Sequence, residues 1–173
     1  MTKFRSPVRL ALLTALSLLL FTVEGAFPPP VPIPGVKLGL ANVVTVWTLY
    51  HGTAAQTALV LASRVLLSAL FSGGASALLF SACGGALCLL GMLPLRRVVP
   101  KKRMWLTSAA GGMLHNIGQL GAAVFAAGSD ALWSYLPFLL VAGLICGSLT
   151  GAAAAALSAR LERVLGAAQA RPE

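Results

Sequence analysis

Long apolar runs, broken by short turns and with nearly all basic residues gathered at three places, decide what this chain becomes. Of its 13 Lys and Arg, Lys3, Arg5 and Arg9 precede the first run. Arg96, Arg97, Lys101, Lys102 and Arg103 fill one interior segment, and Arg160, Arg163 and Arg171 follow the last run. Only Lys37 and Arg64 stand apart. Runs of this length cannot be buried inside 173 residues of soluble protein, because 58% of the side chains are hydrophobic and only 10% charged. A bilayer is the solvent that accepts them. Helices of about 20 residues cover a hydrocarbon core of roughly 30 Å, so the chain has room for six with short connections and none for a soluble catalytic domain.

The net charge of +9 would suit nucleic acid if it lay on one folded surface. Its placement between spans instead follows the positive-inside pattern, so no nucleic-acid partner is expected and lipid is the first partner. The reading is all-α: one integral membrane domain over residues 1–173, a polytopic bundle of six transmembrane helices with both termini in the cytoplasm. Helices are predicted from Val8 to Phe27, Lys37 to Tyr50, Thr53 to Phe71, Ala75 to Leu95, Met104 to Ala127 and Ala131 to Ala159. Between the first two lies a proline-dense extracytoplasmic loop, residues 28–36, where rigid extended backbone excludes helix. Residues 96–103 form a basic cytoplasmic loop and residues 160–173 a cytoplasmic tail.

Six crossings return every basic cluster to one side, whereas five put one cluster outside. The second helix is short for a span and is alternatively re-entrant or strongly tilted. Leu10 to Val23, followed by Gly25 and Ala26, also has the outline of a secretory signal. Its removal leaves an odd number of spans and misplaces the remaining basic clusters.

Charges and amides inside spans need a partner, a wet cavity or a task. Arg64 lies in the third helix, Glu24 near the outer end of the first, and Lys37 and Asn42 in the outer part of the second. In the fifth, His115, Asn116 and Gln119 share a face, because spacings of three and four bring residues onto adjacent turns. One reading makes these structural: Arg64 snorkels or pairs with Glu24, and the amides bridge helices. The other gathers all seven around a polar pocket in the outer half of the bundle, biased by two cations toward an anionic or strongly polar small molecule. Cys83, Cys88 and Cys146 lie in apolar runs and read as small packing residues. No metal-ligand spacing, carboxylate pair or nucleophile–base set is present, so no catalytic residue, metal or cofactor is assigned.

The run Ile33-Pro-Gly-Val-Lys-Leu-Gly-Leu-Ala-Asn-Val-Val-Thr45, then Arg64-Val-Leu-Leu, then Gly112-Met-Leu-His-Asn-Ile-Gly-Gln119 together resemble a bacterial membrane family. It is labelled heptaprenyl diphosphate synthase component I, or the Gx transporter family. That family is similar to the substrate-binding S components of energy-coupling factor (ECF) transporters. The resemblance implies an ECF S-component-like six-helix bundle in the bacterial cytoplasmic membrane, with residues 28–36 at the position of a lid. It also implies partners, namely an ECF coupling protein with its ATPases. Ala11 and Ala15, two small residues four apart, look like the surface through which S components dock.

The family label implies a different partner, a soluble prenyl diphosphate synthase, or membership of a membrane redox assembly. Chain elongation itself needs clustered carboxylates to hold Mg²⁺ on the departing diphosphate. Asp130, Glu24, Glu162 and Glu173 are the only acids and lie far apart in sequence. A synthase role is therefore that of a non-catalytic subunit.

Overall fold

A computed structural model of the chain describes residues 7–27, 38–72 and 74–169, apart from the side chains of 72 and 165–169. The described residues form six α-helices and two 3-10 turns. The helices are α1 (Pro7–Gly25), α2 (Leu40–His51), α3 (Ala54–Ser72), α4 (Ala75–Val98), α5 (Met104–Ala127) and α6 (Leu136–Gln169). Short 3-10 turns at Lys101–Arg103 and Asp130–Tyr135 lead into α5 and α6. Lys3, Arg5, Lys37, Arg171 and the proline-dense loop lie outside the described residues.

Four helical segments are long and apolar enough to cross a membrane: Pro7–Gly25, Ala54–Phe71, Ala75–Val98 and Asp130–Val164. The interior they enclose is unusually polar. In α1 the buried residues are Thr14 and Ser17, while Val8, Leu12, Leu16, Leu19 and Val23 are exposed. In α3, Thr57, Arg64 and Ser68 are buried alongside Val60, Leu61 and Val65, and Leu59, Leu66, Leu70 and Phe71 face outward. A soluble bundle has the opposite pattern. Outward leucine with inward hydroxyl is the arrangement that lipid favours, because apolar side chains gain nothing by leaving hydrocarbon and hydroxyls gain partners inside.

Three boundaries differ from the sequence reading, each for a local reason. The second helix has 12 residues, about 18 Å at 1.5 Å per residue, so the expected crossing is too short to cover a core of roughly 30 Å. It begins at Leu40 after Gly39, which adopts φ +78°, a left-handed conformation that glycine takes without strain. The basic segment 96–103 is not all loop: Arg96 and Arg97 form the last turn of α4. The helix stops only where Val99 turns extended (φ −86°, ψ 120°) ahead of Pro100, because the residue before proline is driven out of helical space. The tail after Ala159 continues as helix through Gln169. Hydrophobicity ends there but good helix formers do not.

Bare backbone holds α4, α5 and α6 together. Gly143, Gly147 and Gly151 line one face of α6 and lie against α5. A methyl group at Gly147 would sit 2.6 Å from the Ser108 carbonyl oxygen, and one at Gly143 would sit 2.7 Å from that of Gly112. On the other side of α5, a methyl at Gly118 would sit 2.6 Å from the Cys83 carbonyl oxygen of α4. Such close approach is the small-residue packing that lets van der Waals contact bind helices where hydrophobic burial supplies no drive.

The second helix is held at both ends. At its start the Glu24 carboxylate accepts hydrogen bonds from the backbone N–H of Gly39 (2.7 Å) and Leu40 (2.8 Å). At its last turn Arg96 Nη1 donates to the Leu49 carbonyl (2.9 Å). The Tyr50 hydroxyl bonds the Thr107 hydroxyl (2.7 Å) and donates to the Val99 carbonyl (3.3 Å). Near the same end Lys101 pairs with Glu162 at 3.9 Å; with both side chains exposed this contact contributes little.

Replacing Gly147 with Leu is expected to force α5 and α6 apart and to lower stability by about 1–3 kcal/mol or more, the usual cost of overpacking. Gly121→Ala, where an added methyl meets nothing within 4 Å, is expected to be neutral. Thermal unfolding of the two variants in detergent separates these outcomes. Equal midpoints would refute the account of the α5–α6 contact.

Candidate functional site

All six helices contribute to one cavity of about 90 Å³. Phe21 and Glu24 come from α1, Asn42 and Val46 from α2, and Arg64 from α3. Ser81, Cys88 and Met92 come from α4, and α5 supplies Ser108, Gly112, His115, Asn116 and Gln119. Gly143, Cys146, Gly147 and Thr150 of α6 complete the wall. Six of the seven residues singled out from sequence as ligand-binding therefore border one space: Glu24, Asn42, Arg64, His115, Asn116 and Gln119. Lys37, the seventh, lies outside the described residues.

Helix geometry explains the gathering on α5. His115, Asn116 and Gln119 occupy adjacent turns of one face, and Ser108 and Gly112 extend that stripe toward the basic end. The glycines bring α4 and α6 close enough for these side chains to meet residues on both neighbours. Asn116 Nδ2 donates to the Leu139 carbonyl of α6 at 2.6 Å, and the Ser108 and Thr150 hydroxyls bond one another at 3.1 Å. Part of the polar stripe thus bridges helices, and the amide of Asn116 is held in a fixed orientation.

The two charged members behave differently. Glu24 has each carboxylate oxygen engaged by an N–H at the start of α2, where the positive end of the helix dipole also favours an anion. The alternative in which it pairs with Arg64 does not hold: among the described residues the one ion pair is Lys101 with Glu162. Arg64 lies eight residues before the end of α3, about 12 Å along its axis, and its side chain turns inward, only 7% exposed. Its Nε is buried and has no hydrogen-bond partner among the described residues. A guanidinium in that position costs at least roughly 2.5–3.5 kcal/mol on insertion scales, and Glu24 offsets it only through longer-range charge attraction, without an ion pair among the described residues.

Ser81, Ser108 and Thr150 were not identified from sequence. Isolated hydroxyls are common in spans, and nothing in spacing alone distinguishes those that border a cavity. The four-residue repeat Gly143, Gly147, Gly151 was the available signal, since it marks the face of α6 turned to α5 and hence the side on which Thr150 lies. Cys83, Cys88 and Cys146 are free thiols. Cys88 is buried beside α5, its sulfur 3.1 Å from where a Gly111 methyl would stand. Ala11 and Ala15 are exposed on α1, away from the cavity. Among the described residues no three His, Cys, Asp or Glu side chains come together as a metal site would require.

A family model described as heptaprenyl diphosphate synthase component I matches residues 13–157. The chain belongs to that family. Comparison with curated proteins and with solved structures gives no match. The matched span includes every described residue of the cavity wall.

Removing the Glu24 carboxylate in Glu24→Ala leaves the Gly39 and Leu40 amides without acceptors. Each unmade bond is expected to cost about 1–3 kcal/mol. Amide hydrogen exchange at the start of α2 should accelerate in this variant, while exchange at the Arg96 end changes less. Unchanged protection at Leu40 would show that the carboxylate is not what fixes the helix start.

Proposed function

We propose that this chain is a membrane-embedded binding protein of the ECF S-component type, which takes a small ligand into the cavity walled by its six helices. The observation that carries this reading is Arg64: a cation deep in a span, facing a polar cavity, with its Nε unsatisfied. Structural arginines in membranes have a carboxylate, a carbonyl or a route to the interface. A residue kept there with an unpaired Nε and no ion pair is explained by a partner that comes and goes. The charge pattern supports the orientation. Arg9, Arg96, Arg97, Arg103, Arg160 and Arg163 gather at one end, which by the positive-inside rule is the cytoplasmic face of a bacterial inner membrane. Both termini then lie inside, and Glu24 lies toward the outer surface, where residues 28–36 serve as the lid. The exposed Ala11–Ala15 face of α1 is the surface proposed for docking an ECF coupling protein and its ATPases.

The family description favours a second reading, a non-catalytic membrane subunit of heptaprenyl diphosphate synthase, with a soluble synthase as partner, or of a membrane redox assembly. The two are separated by isolating the protein from its native membranes in mild detergent and recording native mass spectra. Binding predicts a small molecule retained by wild type and lost in Arg64→Gln, together with an ATPase and coupling protein among co-purifying chains. Bare wild-type protein bound stoichiometrically to a prenyl synthase would overturn it in favour of the subunit reading.

A further inference from the structure

The cavity holds one carboxylate and one guanidinium, which by formal charge alone select nothing. Their bonding breaks the tie. Glu24 is already satisfied: both oxygens are occupied by the Gly39 and Leu40 amides at 2.7 and 2.8 Å, against the positive end of α2. Its hydrogen-bonding capacity toward the cavity is largely spent, although its charge still acts on Arg64 from beyond ion-pair distance. Arg64 is the reverse, 93% buried by its 7% exposure, with Nε unsatisfied. Around it stand groups able to donate, the amides of Asn42 and Gln119; the Thr150 hydroxyl already donates to the Gly147 carbonyl and the Ser108 hydroxyl bonds Thr150.

Size narrows the choice further. At about 90 Å³ the cavity is well below the roughly 300–1,000 Å³ of clefts that enclose drug-sized molecules. A single carboxylate or phosphate group suits a space of that size better than a fused-ring cofactor.

Building on the binding reading above, we infer that the cavity is a seat for one compact oxyanion, a carboxylate or a monophosphate, held by the Arg64 guanidinium inside the bundle. The anion completes the hydrogen bonding of Arg64 and cancels its buried charge, which is where the binding energy originates. The planar guanidinium matches two oxygens of such a group at once, a fit that an ammonium lacks.

The test uses the full-length protein in nanodiscs of neutral phosphatidylcholine. Inorganic phosphate, acetate and, as a cation of similar size, tetramethylammonium are titrated at constant ionic strength while thermal unfolding is followed. Phosphate or acetate should raise the midpoint saturably, and tetramethylammonium should not. Apparent affinity should fall by about tenfold or more in Arg64→Gln and be partly restored in Arg64→Lys. A second set of discs containing phosphatidic acid distinguishes sources: stabilisation by the lipid without response to free phosphate assigns the oxyanion to a headgroup.

Stabilisation by tetramethylammonium, or equal response of wild type and Arg64→Gln to phosphate, overturns the oxyanion assignment. If wild type also retains a neutral molecule in native mass spectra, the cavity remains a binding site and only the ligand class is wrong. No response to any probe, with no retained molecule, overturns both.

Discussion

A twelve-residue helix inside a membrane protein is a liability, and this bundle is built around holding one. At about 18 Å, α2 is too short to carry both its ends to water. Its unsatisfied N–H and C=O groups therefore fall where solvent does not reach, and protein must supply the partners. Glu24 does so at the start and Arg96 in the last turn. Their signs match the helix dipole at each end, so one pair of residues both completes the hydrogen bonding and stabilises the axial field. Half of α2 is buried, and the helices around it take their places against a segment that is fixed at both ends.

Fixing α2 this way shapes the site. The carboxylate used as a cap forms no ion pair with Arg64, so the guanidinium feels its charge only at longer range and keeps an unpaired Nε. The same capping leaves the first turn of α2 beside the cavity, with Asn42 in its wall. Ordinary soluble domains avoid such an arrangement, because burying a charge without a partner is among the costliest things a fold can do. Here the cost is met by backbone contact elsewhere, between α5 and its two neighbours. Glycine surfaces supply dispersion over a long interface without needing the side chains that face inward.

Much of this was legible in the sequence. The apolar runs and three basic clusters specify an all-helical membrane chain, and the spacing of His115, Asn116 and Gln119 correctly puts them on one helix face. What was not legible depended on partners rather than on patterns. That α2 begins at Leu40 follows from Gly39 and from a carboxylate 15 residues upstream in α1, which no local propensity records. That Arg96 belongs to α4 follows from where Pro100 acts, not from where hydrophobicity stops. The capping role of Glu24 was not legible for the same reason: two opposite charges in spans suggest each other, while the competing claim of two backbone amides is invisible until the chain is folded. Ser108 and Thr150 were silent because hydroxyls in spans are commonplace.

The Gly143, Gly147 and Gly151 face also has a consequence for how the molecule is made. Close backbone contacts join α5 to α6, which leave the ribosome after α1 to α4, and these two provide about half of the cavity wall. At roughly 5–20 residues per second, Arg64 is exposed in the bilayer for several seconds before Thr150 has been synthesised. Over that interval its charge has no cavity to face, and lipid headgroups or the insertion machinery must shelter it. Biogenesis is therefore the stage at which a missing C-terminal helix is felt most sharply, by a residue almost ninety positions earlier in the chain.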